Sequence, residues 1–180
     1  MPMHVNVKRV LRDEGGFGLI ELLIAMTVLV VGIMALFAMF ESGIRHIKRA
    51  STVTTAHALA DAEMENFRAI RYDAIGLDDD DVDAAVASSP PYAFDPAYPV
   101  SAASRVVVAA CGSPPCTNDV PVRTVTGADG KSYRVDTYIA WQDVASGEDV
   151  KLVTIVVRDA DDVNKTWART ASAFHESTGT

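Results

Sequence analysis

The chain has little proline, little cysteine and no excess of positive charge, and each shortage narrows what it can be. No proline occurs between Pro2 and Pro90, so nothing in that stretch forces a helix to kink or stop. Sixteen Lys and Arg against 24 Asp and Glu leave a formal net charge of -8. That balance argues against a surface built to grip nucleic acid, which needs clustered cations. Gly-x-Ser-x-Gly and His-Glu-x-x-His are both missing, and Gly15-Gly16-Phe17-Gly18 lacks the Lys-Ser/Thr partner of a phosphate loop. His4, His46, His57 and His175 are scattered without metal-ligand spacing. The residues therefore predict no enzyme activity and no cofactor. The two cysteines, Cys111 and Cys116, enclose Gly-Ser-Pro-Pro, a turn-prone composition that brings the ends of a short loop together. They read either as a local disulfide, which would place them outside a reducing cytosol, or as two inert thiols.

What the chain does have is one long apolar block. Residues 1–16 are polar and carry Lys8, Arg9 and Arg12, then Asp13, Glu14, Gly15 and Gly16; residues 17–40 read FGLIELLIAMTVLVVGIMALFAMF. As a helix rising ~1.5 Å per residue, such a run spans about the 30 Å of a bilayer core. A helix apolar on all sides needs either lipid or a large surrounding core, and 180 residues cannot supply the latter. A cleavable secretory signal has a shorter apolar core with small residues directly behind it. Here Phe37, Met39 and Phe40 end the run, and no Cys follows to accept a lipid. The one charge inside is Glu21, which reads either as an interfacial acid or as a functional one, since a carboxylate in hydrocarbon is costly without a partner.

The segment Gly16-Phe17-Gly18-Leu19-Ile20-Glu21-Leu22-Leu23-Ile24-Ala25 resembles the processing motif of type IV prepilins and type II secretion pseudopilins. That motif has Gly before the cut, Phe after it and Glu at the fifth mature position; counted from Phe17, Glu21 is the fifth. The resemblance implies cleavage between Gly16 and Phe17 by a prepilin peptidase, N-methylation of Phe17, and a carboxylate at Glu21 that neutralises the terminal amine of a neighbouring subunit in the filament. It further implies an inner-membrane location with a cytoplasmic N-terminus and an extracytoplasmic head. Charge alone leaves orientation open, because Lys8, Arg9 and Arg12 before the run are matched by Arg45, Lys48 and Arg49 after it.

Past Phe40, Ile44, Ile47, Val53, Ala56, Ala60, Met64, Phe67 and Ile70 recur at mostly three- and four-residue spacing, an amphipathic helical face. One helix is expected from about Gly18 to Ile75, with Gly76 as a left-handed stop. Residues 77–104, with Asp78–Asp81, Asp83 and Pro90, Pro91, Pro96 and Pro99, read as an irregular acidic, Pro-rich connection. A calcium loop is the lesser alternative, since the Gly and distant Glu of an EF-hand are missing. The same weighing makes Asp159, Asp161, Asp162 and Asn164 a hairpin turn. Strand signals rich in Val, Thr and aromatics occupy 105–110, 120–125, 133–141, 150–158 and 167–174, and short connections favour an antiparallel meander with one face on the helix. Trp141 and Trp167 are expected to pack in the core or at its edge.

The expected organisation is a leader at 1–16, a membrane and filament-core helix at 17–40, its amphipathic continuation at 41–76, the connection at 77–104 and an antiparallel β head at 105–180. This α+β plan, a long N-terminal helix on an antiparallel sheet, is similar to that of pilin-like proteins. Within the family, residues 29–36 and 58–68 are most similar to PilV-like minor pilins, with the I-type pseudopilins of type II secretion close behind. The resemblance implies a structural subunit of a type IV pilus, active in initiation or modification, or alternatively a pseudopilin of a secretion or DNA-uptake machine. Its implied partners are the prepilin peptidase, other pilin or pseudopilin subunits, an inner-membrane assembly platform and the membrane itself. Direct nucleic-acid binding is not expected.

Overall fold

In the computed structural model, residues 18–88, 90–99, 101–108, 120–143 and 149–176 are described. They form two compact units, divided between His46 and Ile47. The first unit is helical throughout its described length beyond Gly18, as the opening part of the 51-residue helix α1, Leu19–Ala69. Leu, Ile, Met and Ala favour helix, and Gly32 and Gly43 each cost only about 1 kcal/mol relative to Ala. Every large apolar side chain described from Leu19 to Phe40 is exposed, Leu19 at 85% and even the least exposed, Ile33, at 44%. So much bared apolar surface is stable only where the solvent is itself apolar. The hydroxyl of Thr27 is already satisfied within the helix, donating to the Leu23 carbonyl at 2.8 Å, as a polar group in such a setting must be.

In the second unit, the remaining part of α1 buries Thr52, Ala56, Ala60, Glu63, Met64 and Phe67. This is the expected stripe, shortened: Ile44, in the first unit, is 54% exposed and Ile47 is 70% exposed. The stripe packs on a four-stranded antiparallel sheet, β3 (Val122–Thr126), β4 (Ser132–Asp143), β5 (Asp149–Asp159) and β6 (Thr166–His175), in the order β3-β4-β5-β6. Register pairs Val125 with Tyr133, Val135 with Val157 and Ile155 with Thr170. Val157 opposes Ala168 while Arg158 opposes Thr166, so Trp167 is the extra residue of a bulge.

Alternation along the strands separates two faces. Tyr133, Val135, Ile139, Val153, Ile155 and Val157 make the apolar face against α1, all at most 2% exposed. The β3–β4 turn is pressed onto the helix: a Cβ at Gly127 would lie 2.6 Å from Cγ2 of Thr55 and 2.7 Å from Cε2 of Tyr133. Gly130 closes that turn at φ 77°, a conformation that favours glycine.

The opposite face is covered as well, by the acidic, Pro-rich segment. Tyr92 stacks on Tyr138 with ring centroids 4.5 Å apart and donates to the Thr137 carbonyl at 2.8 Å. Residues 77–104 are not an irregular connection. They contain β1 (Leu77–Asp78), α2 (Asp79–Ser88) and α3 (Pro90–Ala93). The aspartates start α2: Asp78 Oδ1 accepts from the amides of Asp80 (3.0 Å) and Asp81 (3.2 Å), the N-cap geometry. Asp79, Asp80 and Asp81 fill the first turn, where negative charge is favoured by the helix dipole.

Two boundaries also differ from the sequence reading. The helix ends at Ala69, short of Ile75, and a 3₁₀ turn follows at Tyr72–Ala74. In the turn that follows, Lys151 of β5 donates through Nζ at 2.7 Å to the carbonyls of both Tyr72 and Ile75. Gly76 is not in the left-handed region; among the described glycines only Gly130 is. The strand expected at 105–110 is represented by β2 (Val107–Val108), which pairs parallel to β1, and by a single bridge from Arg105 to Ala140.

Candidate functional site

The segment singled out by sequence begins, among the described residues, at Gly18. Its carbonyl accepts from the amides of Glu21 (2.9 Å) and Leu22 (3.2 Å), which starts α1. Glu21 lies in the first turn, where the unsatisfied amides of a helix N-terminus stabilise an acid. Its side chain is exposed and has no ion-pair partner among the described residues. The next charge along α1 is Glu41, which pairs with Arg45 at 3.5 Å. One end of an otherwise apolar rod thus carries a single uncompensated acid. Gly16 and Phe17, the expected cleavage and methylation residues, lie outside the described residues, as do Cys111 and Cys116.

A family model described as the prokaryotic N-terminal methylation motif matches residues 11–37. Over that span the chain is type IV prepilin-like. The matched span covers residues 11–16, the Gly16–Phe17 junction, Glu21 and most of the apolar run. Chains bearing this motif are structural subunits rather than enzymes, and the motif implies processing by prepilin peptidase and assembly with other pilins. The helix Leu19–Ala69 contains a window long and apolar enough to cross a membrane, which fits the single-pass anchor of a prepilin-like protein. No curated protein and no solved structure matches the chain. The long helix and four-stranded antiparallel sheet nevertheless give the prepilin-like chain the α+β architecture that its N-terminus implies.

The head holds a charged cluster that sequence reasoning missed. Asp136 of β4 accepts from Arg134 Nε at 2.6 Å through Oδ1 and from Arg158 Nε at 2.8 Å through Oδ2. Arg158 also pairs with Asp95, whose two oxygens accept from Arg169 Nη2 at 2.8 and 2.7 Å. Both carboxylates are essentially buried. Burial pushes the Asp95 carboxyl up, but the hydrogen bonds from Arg169 and the Ala97 amide and the charges of Arg169 and Arg158 outweigh it and hold the group below the ordinary carboxylate range. This cluster ties the 90–98 segment to three strands and holds a cover on the sheet's second face. The legible signal was Arg134-x-Asp136 on one strand face, but its partners come from β5, β6 and a loop.

A second buried charge joins the helix to the sheet, where Glu63 of α1 pairs with Arg123 of β3. Several of the aspartates weighed for calcium are engaged with protein groups. Asp79 and Asp83 bind Arg105 at 3.2 and 2.9 Å, and Asp159 Oδ1 accepts from the amides of Asp161 and Asp162 in the β5–β6 hairpin. Among the described residues no three His, Cys, Asp or Glu gather as a metal site. Trp167 packs against the core and donates to Asp159 Oδ2 at 3.2 Å, whereas Trp141 is 39% exposed at the edge.

Proposed function

We propose that the protein is a minor pilin: cleaved after Gly16, N-methylated at Phe17, inserted in the inner membrane with its head outside the cytoplasm, and taken up by the assembly platform into a type IV pilus at initiation or as a modifying subunit. The observation that carries this reading is the methylation motif over residues 11–37 running into an apolar helix whose lone charge is Glu21. In a filament the apolar faces of neighbouring helices would bury one another, removing ~25 cal/mol for each Å² taken from water or matching it against lipid. Within that bundle a carboxylate and a terminal amine are each heavily penalised alone and tolerated together. Glu21 opposite a neighbour's Phe17 amine would therefore favour one axial register of addition.

Mass spectrometry of sheared, purified pili tests the proposal. The expected result is a peptide beginning at N-methylated Phe17, at a small fraction of the major subunit. Recovery of the protein from cells with an active processing peptidase but with residues 1–16 still attached overturns it. Recovery of the processed chain only with a secretion apparatus would move it to the pseudopilins.

A further inference from the structure

Where α1 meets the two hairpin turns of the head, a cleft of about 680 Å³ is lined by Lys48 and Arg49 of the helix, Lys131 at the β3–β4 turn, and Lys165 and Asp161 at the β5–β6 turn. Four cations gather there in a chain of net charge -8. Asp159 also borders the cleft, its carboxylate accepting from the amides of Asp161 and Asp162 and from the indole N–H of Trp167. Among the described residues none of the four forms a close ion pair with a carboxylate, although Lys131 acts on nearby Asp129 and Lys165 on Asp159. Lys48 and Arg49 have no ion-pair partner among the described residues, Lys131 Nζ is held by the hydroxyl of Thr52, and Lys165 Nζ sits 4.0 Å above the centre of the Trp167 ring. Most arginines of the head, by contrast, are paired with carboxylates.

We propose that this cleft binds the phosphate of an anionic phospholipid headgroup. Three observations favour that occupant. Its walls carry four cations against the two carboxylates of Asp159 and Asp161, with hydroxyl and indole groups between them, and the cationic excess suits a phosphodiester. Lys48 follows Phe40, the end of the apolar run, by only eight residues in the sequence. Basic groups next to a span are drawn to anionic lipid at roughly fivefold in affinity for each Lys or Arg near the surface. The cleft is also too small and too isolated for duplex nucleic acid, which requires cations spaced along many phosphates, in a chain of net charge -8. The inference rests on the apolar helix lying in a bilayer. It adds that the head selects lipid there, so that an unassembled subunit is held against the membrane surface and must release a headgroup to enter the filament.

The test uses the full mature chain reconstituted into phosphatidylcholine vesicles containing increasing mole fractions of phosphatidylglycerol. Flotation reports insertion, and the acetylation rates of Lys131 and Lys165 by acetic anhydride report occupation of the cleft, with buried Lys151 as internal reference. The expected result is protection of both lysines as phosphatidylglycerol rises. In Lys48→Ala/Arg49→Ala the half-protecting mole fraction should rise by roughly fivefold per cation removed, and in Lys48→Arg/Arg49→Lys it should stay near wild type. Failure to float removes the anchor and this inference with it. Flotation without lipid-dependent protection overturns this inference alone. So does protection that the alanine variant leaves unchanged, which would be a surface-pH effect, and so does equal protection by inorganic phosphate or a DNA duplex with no phosphatidylglycerol present.

Discussion

Asp136 and Arg158, on neighbouring strands, form a buried ion pair with Nε and Oδ2 2.8 Å apart. The same carboxylate holds Arg134, and the same guanidinium holds Asp95, so one contact links the second face of the sheet to its cover. Removing one member leaves guanidinium charge uncompensated in the interior. Asp136→Asn is expected to lower the stability of the head by about 3–5 kcal/mol, read as the denaturant midpoint of the mature protein in detergent followed by tryptophan emission.

The Asp95 carboxyl should make that stability depend on pH. Its folded value is held below its unfolded value, so the folded state binds fewer protons through the carboxylate range. Stability from this group is fully present above the unfolded value and is lost as pH falls through the ordinary carboxylate range toward the folded one. Denaturation series at descending pH should show a steeper acid loss for wild type than for Asp95→Asn. Equal slopes would mean the Arg158 and Arg169 contacts contribute nothing.

Asp78 should behave as a helix cap rather than as one of five interchangeable acids. Asp78→Ala leaves the amides of Asp80 and Asp81 without their acceptor and is expected to cost about 0.5–2 kcal/mol. Asp80→Ala, whose side chain is exposed and unpaired among the described residues, should cost less, and thermal unfolding of the two variants side by side separates them.

Gly127→Ala should strain the contact between α1 and the β3–β4 turn. The added methyl would meet Thr55 and Tyr133 at distances that real Cβ atoms do not adopt, and overpacking of this kind costs typically ~1–3 kcal/mol. Thr55→Ala in the same chain should return part of the loss. No loss in the single variant would show that the turn is free to withdraw from the helix.

Glu21→Ala should be cleaved at near wild-type rate yet fail to enter filaments, because its side chain has no structural partner within the described chain to lose. Immunoblots of the membrane and sheared-filament fractions distinguish the two steps. Wild-type incorporation would remove the proposed register role.

The long helix, its apolar half and the methylation motif were legible in the sequence because they are local. Run length, Glu21 near the start of the run and three- to four-residue spacing from Ala56 to Phe67 all lie within one element. The meander was legible for the same reason, since β3 to β6 follow one another with short turns, and the Asp159–Asn164 turn is built from its own side chains and amides. The misses are each nonlocal. The helix stops at Ala69, and a lysine some 80 residues later holds the carbonyls of Tyr72 and Ile75 in the turn beyond it. The acidic connection is ordered because its Tyr92 and Asp95 meet Tyr138, Arg158 and Arg169 across the sheet. Residues 77–86 also carried an overlooked local cue, an Asp cap ahead of Val82, Ala85 and Val86, hidden by the charge of the run.

Sequence alone determined that this chain has an apolar rod with one acid near its N-terminal end, because hydrophobic run length and residue spacing act through bonds along a single helix. Only the tertiary structure decided that the sheet is covered on both faces, and that Lys48, Arg49, Lys131 and Lys165 line one cleft. Those arrangements depend on charges and rings brought together from distant parts of the chain, and pairing free energy at short range leaves no periodic trace in the order of residues.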